Sequence, residues 1–148
     1  VPDAPSPWEA VARALTAALR TVPGALVLRG GALPEAVPPA GVANLVETDP
    51  VELAELVGGE REWLWEVAVE LAVAAADDAD RAAALDALAR ACAAAVRSDA
   101  ALAALVDGVR VHALRDRQDL PQPGAAAIRS ATLPVELLFA TGPDPMEP

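Results

Sequence analysis

The residues able to do chemistry are few. His112 and Cys92 are the sole histidine and the sole cysteine, and a nucleophile–base pair would need them within hydrogen-bond reach of each other. Cys92 falls on a helical apolar stripe with Leu85, Leu88 and Val96, where a thiol behaves as a small hydrophobe. His112 sits in a short β-type run beside Val111 and close to Leu114. A dyad would require His112 to point into the core and the core to open to substrate. The glycine pairs Gly30-Gly31 and Gly58-Gly59 belong to no G-x-G-x-x-G, and a chain without lysine cannot build a P-loop. They read as turns.

The carboxylates need a closer look. Asp77, Asp78 and Asp80 lack EF-hand spacing and the distal glutamate of such a loop. They precede a helical run, so their role is read as capping and dipole compensation. Glu62, Glu66 and Glu70 recur every four residues along a β-type alternation, which sets neighbours about 13 Å apart on one face. Two carboxylates acting on one bond stand roughly 5–10 Å apart. The three form an acidic row, either a solvated sheet face or a surface that repels something anionic. No catalytic, cofactor-binding or metal-ligating residue is therefore expected, and the chain is read as a non-enzyme with no cofactor.

Composition narrows the classes further. Twenty-two carboxylates against eleven cations, all arginine, leave a net charge of −11. That argues against nucleic acid as a bound ligand, because duplex binding needs cations to displace counterions. The apolar fraction of 54% overstates the core, since 37 residues are alanine. With three Trp, one Phe and no Tyr, the core must be Leu and Val packed on Ala-lined helices. The 148 residues suit a single domain over 1–148. No uncharged apolar run approaches the roughly 18 residues of a membrane span, and the basic-then-apolar layout of a signal peptide is missing. The lone cysteine excludes an internal disulfide and points to a reducing compartment. A soluble protein without a membrane partner is expected.

The elements follow from periodicity. Pro-rich arms, Val1–Pro7 and Gly142–Pro148, are expected to stay extended or unordered until something docks on them. Ser6-Pro7-Trp8-Glu9 is a helix start with a capping box, and Trp8, Val11, Leu15, Leu19 and Val22 recur at helical spacing, giving a helix over Pro7–Thr21. Short β-type runs follow at Leu26–Arg29 and Val42–Glu47. An acidic connector, Glu47–Glu60, holds one regular piece at Val51–Val57, a short helix or an irregular arm. From Glu62 to Val73 the alternation is nearly strict, with Trp63, Trp65, Val67, Val69, Leu71 and Val73 on one face. A helix would scatter these around its circumference, so this is a half-buried strand. A helix over about Arg81–Arg97, a short second piece through Leu102, and a strand at Val109–Leu114 come next. Arg115–Gly124 reads as a loop. Ala127–Thr141 is the closing strand, with Pro134 marking a sheet edge or bulge.

The order α-β-β-β-α-(α)-β-β is most simply solved by an α+β two-layer sandwich: an antiparallel β-sheet of four or five strands with two main helices packed on one face. A strand of twelve residues runs to roughly 40 Å, longer than two helices can cover. Part of the sheet surface, including Leu64, Leu138 and one of Trp63 and Trp65, is expected to meet a neighbouring subunit.

Four segments together carry a resemblance: "RGGALPEAVPPAGVANLVETDP" after the first helix; "EREWLWEVAVELAVAA" running straight into "DDADRAAALDALARACAAAV"; "DGVRVHAL"; and the closing "AIRSATLPVELLFAT". This layout, over about Trp8–Thr141, resembles the tail terminator (tail completion) proteins of long-tailed phages and of prophage or gene-transfer-agent particles. The resemblance implies a tail-tube-like fold, no enzymatic activity and a homo-oligomer in the form of a hexameric ring. It further implies a ring that caps the tail tube protein, docks the head–tail connector or stopper protein, and lets DNA pass through its lumen without specific binding. The implied location is the virion, with assembly in the host cytoplasm. On that reading Asp49, Glu52, Glu55, Glu60, Glu62, Glu66 and Glu70 are lumen or tube-contact candidates, and Trp63, Leu64, Trp65 and Leu138 are subunit-interface candidates. The alternative is a connector or adaptor component, or another non-enzymatic interaction module.

Overall fold

The computed structural model describes residues 4–148; the part of the N-terminal arm at positions 1–3 lies outside the described residues. In chain order the elements are α1 (Pro7–Leu19), β1 (Leu26–Arg29), β2 (Val42–Val46), β3 (Val51–Glu55), β4 (Arg61–Ala74), α2 (Asp78–Ser98), α3 (Ala100–Leu105), β5 (Gly108–Val111), β6 (Arg115–Leu120) and β7 (Ile128–Thr141). The class is α+β. Its spine is the antiparallel pair β4 and β7, in register from Arg61↔Thr141 to Ala74↔Ile128.

Each spine strand carries a broken strand on its outer edge. β2 lies along the second half of β4 and β3 along the first half. On the other side, β5 and β6 lie in succession along β7. The path across the sheet is β1-β2-β4-β7-β5, with β3 and β6 completing the two edges.

Three expectations about the sheet are corrected. It has seven strands rather than four or five. It is mixed, because β1 and β2 pair in parallel: the segment 30–41 between them is long enough to cross over, which a parallel pair requires and a hairpin does not. Finally, the stretches read as connector and loop contain β3 and β6. β6 is exposed at every residue, so it is held by backbone pairing to β7 and not by burial.

Pro134 is not at an edge; it lies mid-strand on β7, opposite Ala68 of β4. Its carbonyl accepts a hydrogen bond from the His112 amide at 3.0 Å. Backbone N–H and C=O of one strand residue face the same neighbour, so the missing donor of Pro134 faces the interruption between β5 and β6, where it costs no ladder bond.

The first helix starts at Pro7 as expected, whereas α2 begins at Asp78, three residues before the expected Arg81, because Asp77 is the residue that caps it. The Ser6 hydroxyl accepts from the Glu9 amide, with Pro7 in the first turn. The second half of the expected capping box is not made, because the Glu9 carboxylate turns away to Arg13 and Arg29. Asp77 caps α2 and Asp99 caps α3, each accepting a backbone N–H. All three helices contribute to one core over one face of the sheet. That core takes Val11, Leu15 and Leu19 from α1, the alternating residues Trp65 to Val73 from β4, Leu133 to Phe139 from β7, and Leu85, Leu88, Cys92 and Val96 from α2. At the α1 end, Trp8 packs edge-on against Trp63, Trp65 and Phe139, with ring centroids 5.0, 5.7 and 4.9 Å away.

The opposite face is covered at one end only. There Val42, Ala72 and Ile128 are buried beneath Val37 of the crossover. Asn44 anchors that segment, its side chain donating to the Gly31 carbonyl at 2.9 Å and accepting from the Gly31 amide at 3.2 Å. The C-terminal arm, expected to be free, folds back instead: Pro145 accepts from Trp8 Nε1 at 2.9 Å. Among the described residues no helix is long and apolar enough to cross a membrane.

Candidate functional site

The uncovered part of the sheet is built from strand alternation. With Trp65, Val67 and Val69 turned to the helices, their neighbours Glu62, Leu64, Glu66, Ala68 and Glu70 must face outward. The same rule on β7 sends Pro134, Glu136 and Leu138 to that face, where Pro134 is buried and the other two are half-buried. Register then sets Leu64 opposite Leu138 and Glu66 opposite Glu136. Leu64 and Leu138 thus lie together on the open face, beside a shallow hollow of about 170 Å³ with Gly108, Val109, Arg110 and Glu136.

The two aromatic candidates do not share that face. Trp65 is 3% exposed and its indole N–H donates to the Thr48 carbonyl at 2.6 Å. Trp63 is half-buried on the helix side and donates to the Thr141 hydroxyl at 3.0 Å. Both belong to the chain's own aromatic cluster. As subunit contacts Trp63 and Trp65 are therefore set aside, because alternation places them on the covered side.

The acidic row is less isolated than its sequence suggests. Glu66 and Glu136 are like charges directly opposite each other, an arrangement that is destabilising unless neutralised. The two guanidinium groups that neutralise them, Arg110 and Arg115, arrive from the β5–β6 edge, with the His112 ring beside Glu136. Arg115 reaches Glu66 at 2.5 Å, His112 Nε2 lies 3.3 Å from Glu136, and Arg110 lies 3.9 Å from it. Glu70 takes the Asn44 side-chain amide at 3.3 Å. Sequence reading found Glu66 and Glu70, weighed His112 only as a partner for Cys92, and missed Glu136, Arg110 and Arg115. Alternation on the closing strand could have shown Glu136 facing outward, but its partner depends on the register, which no local signal supplies.

Ligand atoms of Glu66, His112 and Glu136 lie within 4.8 Å of one another, a spacing a divalent cation could bridge. Two guanidinium groups already answer the two carboxylates, however, and the adjoining hollow is far below the roughly 300 Å³ of a small-molecule site. Cys92 is fully buried; desolvation pushes its thiol up to about 11, away from the thiolate a nucleophile needs. His112 is on the outer face of the sheet side paired with Glu136, and Cys92 belongs to the core on the helix side, so the two do not form a dyad.

The remaining acidic candidates occupy one projecting edge. Asp49 is exposed in the turn between β2 and β3, Glu52 and Glu55 lie on β3, and Glu60 sits at the turn into β4. The regular piece of this segment, read as a short helix or an irregular arm, is instead an antiparallel strand on β4. The turn closes through Leu56 N–H to the Glu60 carbonyl at 2.6 Å. Gly58 and Gly59 supply φ of +105° and +88°, conformations that L side chains resist. Apolar side chains crowd the arm: Val51 and Leu53 are about half exposed, and Val57 at the tip is 105% exposed.

At the opposite edge of the sheet, α2 and the β5–β6 edge border a wide, open groove of about 790 Å³. Its walls include Ala91, Ala94, Val111 and Leu114, with Arg97 and Arg117 among its exposed side chains. The chain matches no protein-family profile and no curated protein.

Proposed function

We propose that this chain is a structural subunit of a phage-type tail, a tail terminator that assembles as a hexameric ring, caps the tail tube and presents a surface to the capsid connector. One observation carries the reading. A 14-residue strand, β4, leads through a short turn into the acid-capped α2, pairs along its whole length with the closing strand, and leaves Leu64, Glu66, Ala68 and Glu70 of its outer face partly or fully accessible. The passage from a long strand into an acid-capped helix, closed by a second long strand, is one part of the layout on which the family resemblance rests, and a partly accessible sheet face suits a subunit that meets copies of itself.

The charge supports the same role. Six copies of a chain at −11 carry −66 formal charges, so carboxylates must line the bore, the rim or solvent. Facing a passing genome they repel phosphate and leave no cationic stops. The repulsion reaches only about 8 Å at physiological salt, so charges that line the bore are the effective ones. Asp49, Glu55, Glu60 and Glu62 are the candidates with the fewest internal ties: among the described residues none has an arginine within 4.0 Å, whereas Glu52 meets Arg61 at 3.5 Å, Glu66 meets Arg115 at 2.5 Å and Glu70 accepts from Asn44.

Sedimentation of the purified chain across a salt series tests the reading, together with electron microscopy of tail tubes incubated with it. Self-repulsion opposes closure at low salt, so association should rise as salt is added and fall again once arginine–carboxylate contacts are screened. A chain that stays monomeric at every salt and never decorates a tube end would overturn the terminator reading. Binding to the connector without self-association would favour the adaptor alternative.

A further inference from the structure

We infer that the β3–β4 arm of one subunit docks in the α2/β5–β6 groove of the next copy, making a head-to-tail seam. The inference rests on the ring reading and names the surfaces that would build it.

The two surfaces complement each other in charge. Among the described residues, only Arg20, Arg97 and Arg117 have no carboxylate within 4.0 Å, and two of these three border the groove. On the arm, Glu55 and Glu60 likewise have no arginine partner, and Asp49 at its base has none. Unanswered cations on one surface and unanswered anions on the other steer an encounter and fix its register.

They also complement each other in shape and polarity. The arm exposes Val51, Leu53, Leu56 and Val57 within seven residues, at 58, 50, 41 and 105%. Such clustering on an exposed edge marks a contact surface. The groove offers small apolar walls, Ala91 and Ala94 on α2 facing Val111 and Leu114, into which branched side chains at a narrow tip can insert. The glycine pair keeps that tip free of bulk.

One chain cannot satisfy the contact itself. The arm hangs on the edge of β4 that faces away from β7, and the groove lies at the edge of β7 that faces away from β4. An interface between two different surfaces of identical chains is heterologous, and it closes into a ring or grows into a filament according to the rotation it imposes. The occupant is therefore a second copy of this chain.

The test uses two exposed positions, Val57→Cys at the tip and Ala94→Cys in the groove; native Cys92 is buried and serves as the silent background. Mixing the two single variants and adding a short bis-maleimide should give covalent dimers and nothing larger. The doubly substituted chain should give a ladder ending at the closed ring. Independently, Arg97→Glu with Arg117→Glu should weaken association about tenfold or more, and a partner chain carrying Glu55→Arg and Glu60→Arg should restore it. Circular dichroism checks that each variant folds. A ring assembled from the cysteine variants in which the tip does not link to the groove, or links only to another tip, would overturn the seam and leave the terminator reading standing. A chain monomeric under all conditions would overturn both.

Discussion

Replacing Trp8 tests how the first helix, the sheet and the C-terminal arm are held together. Its ring meets Trp63, Trp65 and Phe139 edge-on, and its N–H holds the Pro145 carbonyl. Trp8→Phe keeps an aromatic ring in the cluster but removes the donor, so the loss is that of one hydrogen bond, about 1 kcal/mol. Trp8→Ala removes the ring as well. Full burial would make that about 3–5 kcal/mol; the side chain is half-buried, but each edge-on pair adds roughly 0.5–1.5 kcal/mol, so about 3 kcal/mol is expected. For a chain of this length about 2–4 °C of melting temperature accompanies each kcal/mol. Thermal and urea unfolding followed by far-ultraviolet circular dichroism reads both numbers without relying on the tryptophans. Amide exchange over 142–148 should accelerate in both variants. Equal destabilisation by Phe and Ala would refute the cluster argument, since it would place the whole effect in the hydrogen bond. An effect of Trp8→Ala below about 1 kcal/mol would show that the aromatic contacts stabilise nothing.

Other expected outcomes follow from single sites. Hydrogen bonds from Arg29 and then Arg13 hold the Glu9 carboxyl down at about 2, against an ordinary 4.5; its stabilising effect is present above pH 4.5 and lost as pH falls towards 2, so the acid limb of a stability–pH curve should flatten in Glu9→Gln. Gly41 has φ of +90°, and a Cβ there would lie 2.7 Å from Leu88 Cδ2 and 2.9 Å from the Ala72 carbonyl; Gly41→Ala should destabilise by at least about 2 kcal/mol. Gly58→Ala, with φ of +105° and open space around it, should cost about 1 kcal/mol, and a chemical denaturation series compares the two. Cys92 should resist alkylation in the native state and react only on unfolding, and Cys92→Ala should assemble normally; loss of function in a stable, assembled Cys92→Ala protein would reopen the enzyme reading.

The parts legible in the sequence are those whose burial repeats locally. From Trp65 to Val73 every second side chain of β4 enters the core, and Ser6 and Asp77 mark two helix starts by their own side chains. What stayed hidden depends on a neighbour. Val51–Glu55 is exposed at four of its five residues, so nothing in it announces a strand; it becomes one because β4 offers it an unpaired edge. Arg115–Leu120 has the composition of a loop and takes its form from β7. The proline at 134 argued for an edge, and only the gap between β5 and β6 explains why the centre of a sheet tolerates it. Of the candidate site, the outward row on β4 was readable from alternation, but the cations that neutralise it, and the groove facing the far edge, come from elements brought in by the register.

The long pairing of β4 with β7 also sets the timing of folding. Its two strands are separated in the chain by α2, α3, β5 and β6, so the pairing has high contact order and closes late. On the ribosome, β4 can collect α1, β2 and β3 as soon as they are made, yet its other edge stays open until residue 128 and beyond have emerged. An open edge of fourteen residues with an apolar face is a template for pairing with another nascent chain. Translation halted between positions 75 and 127 should therefore yield an aggregation-prone fragment, whereas a finished chain quenches that edge within itself.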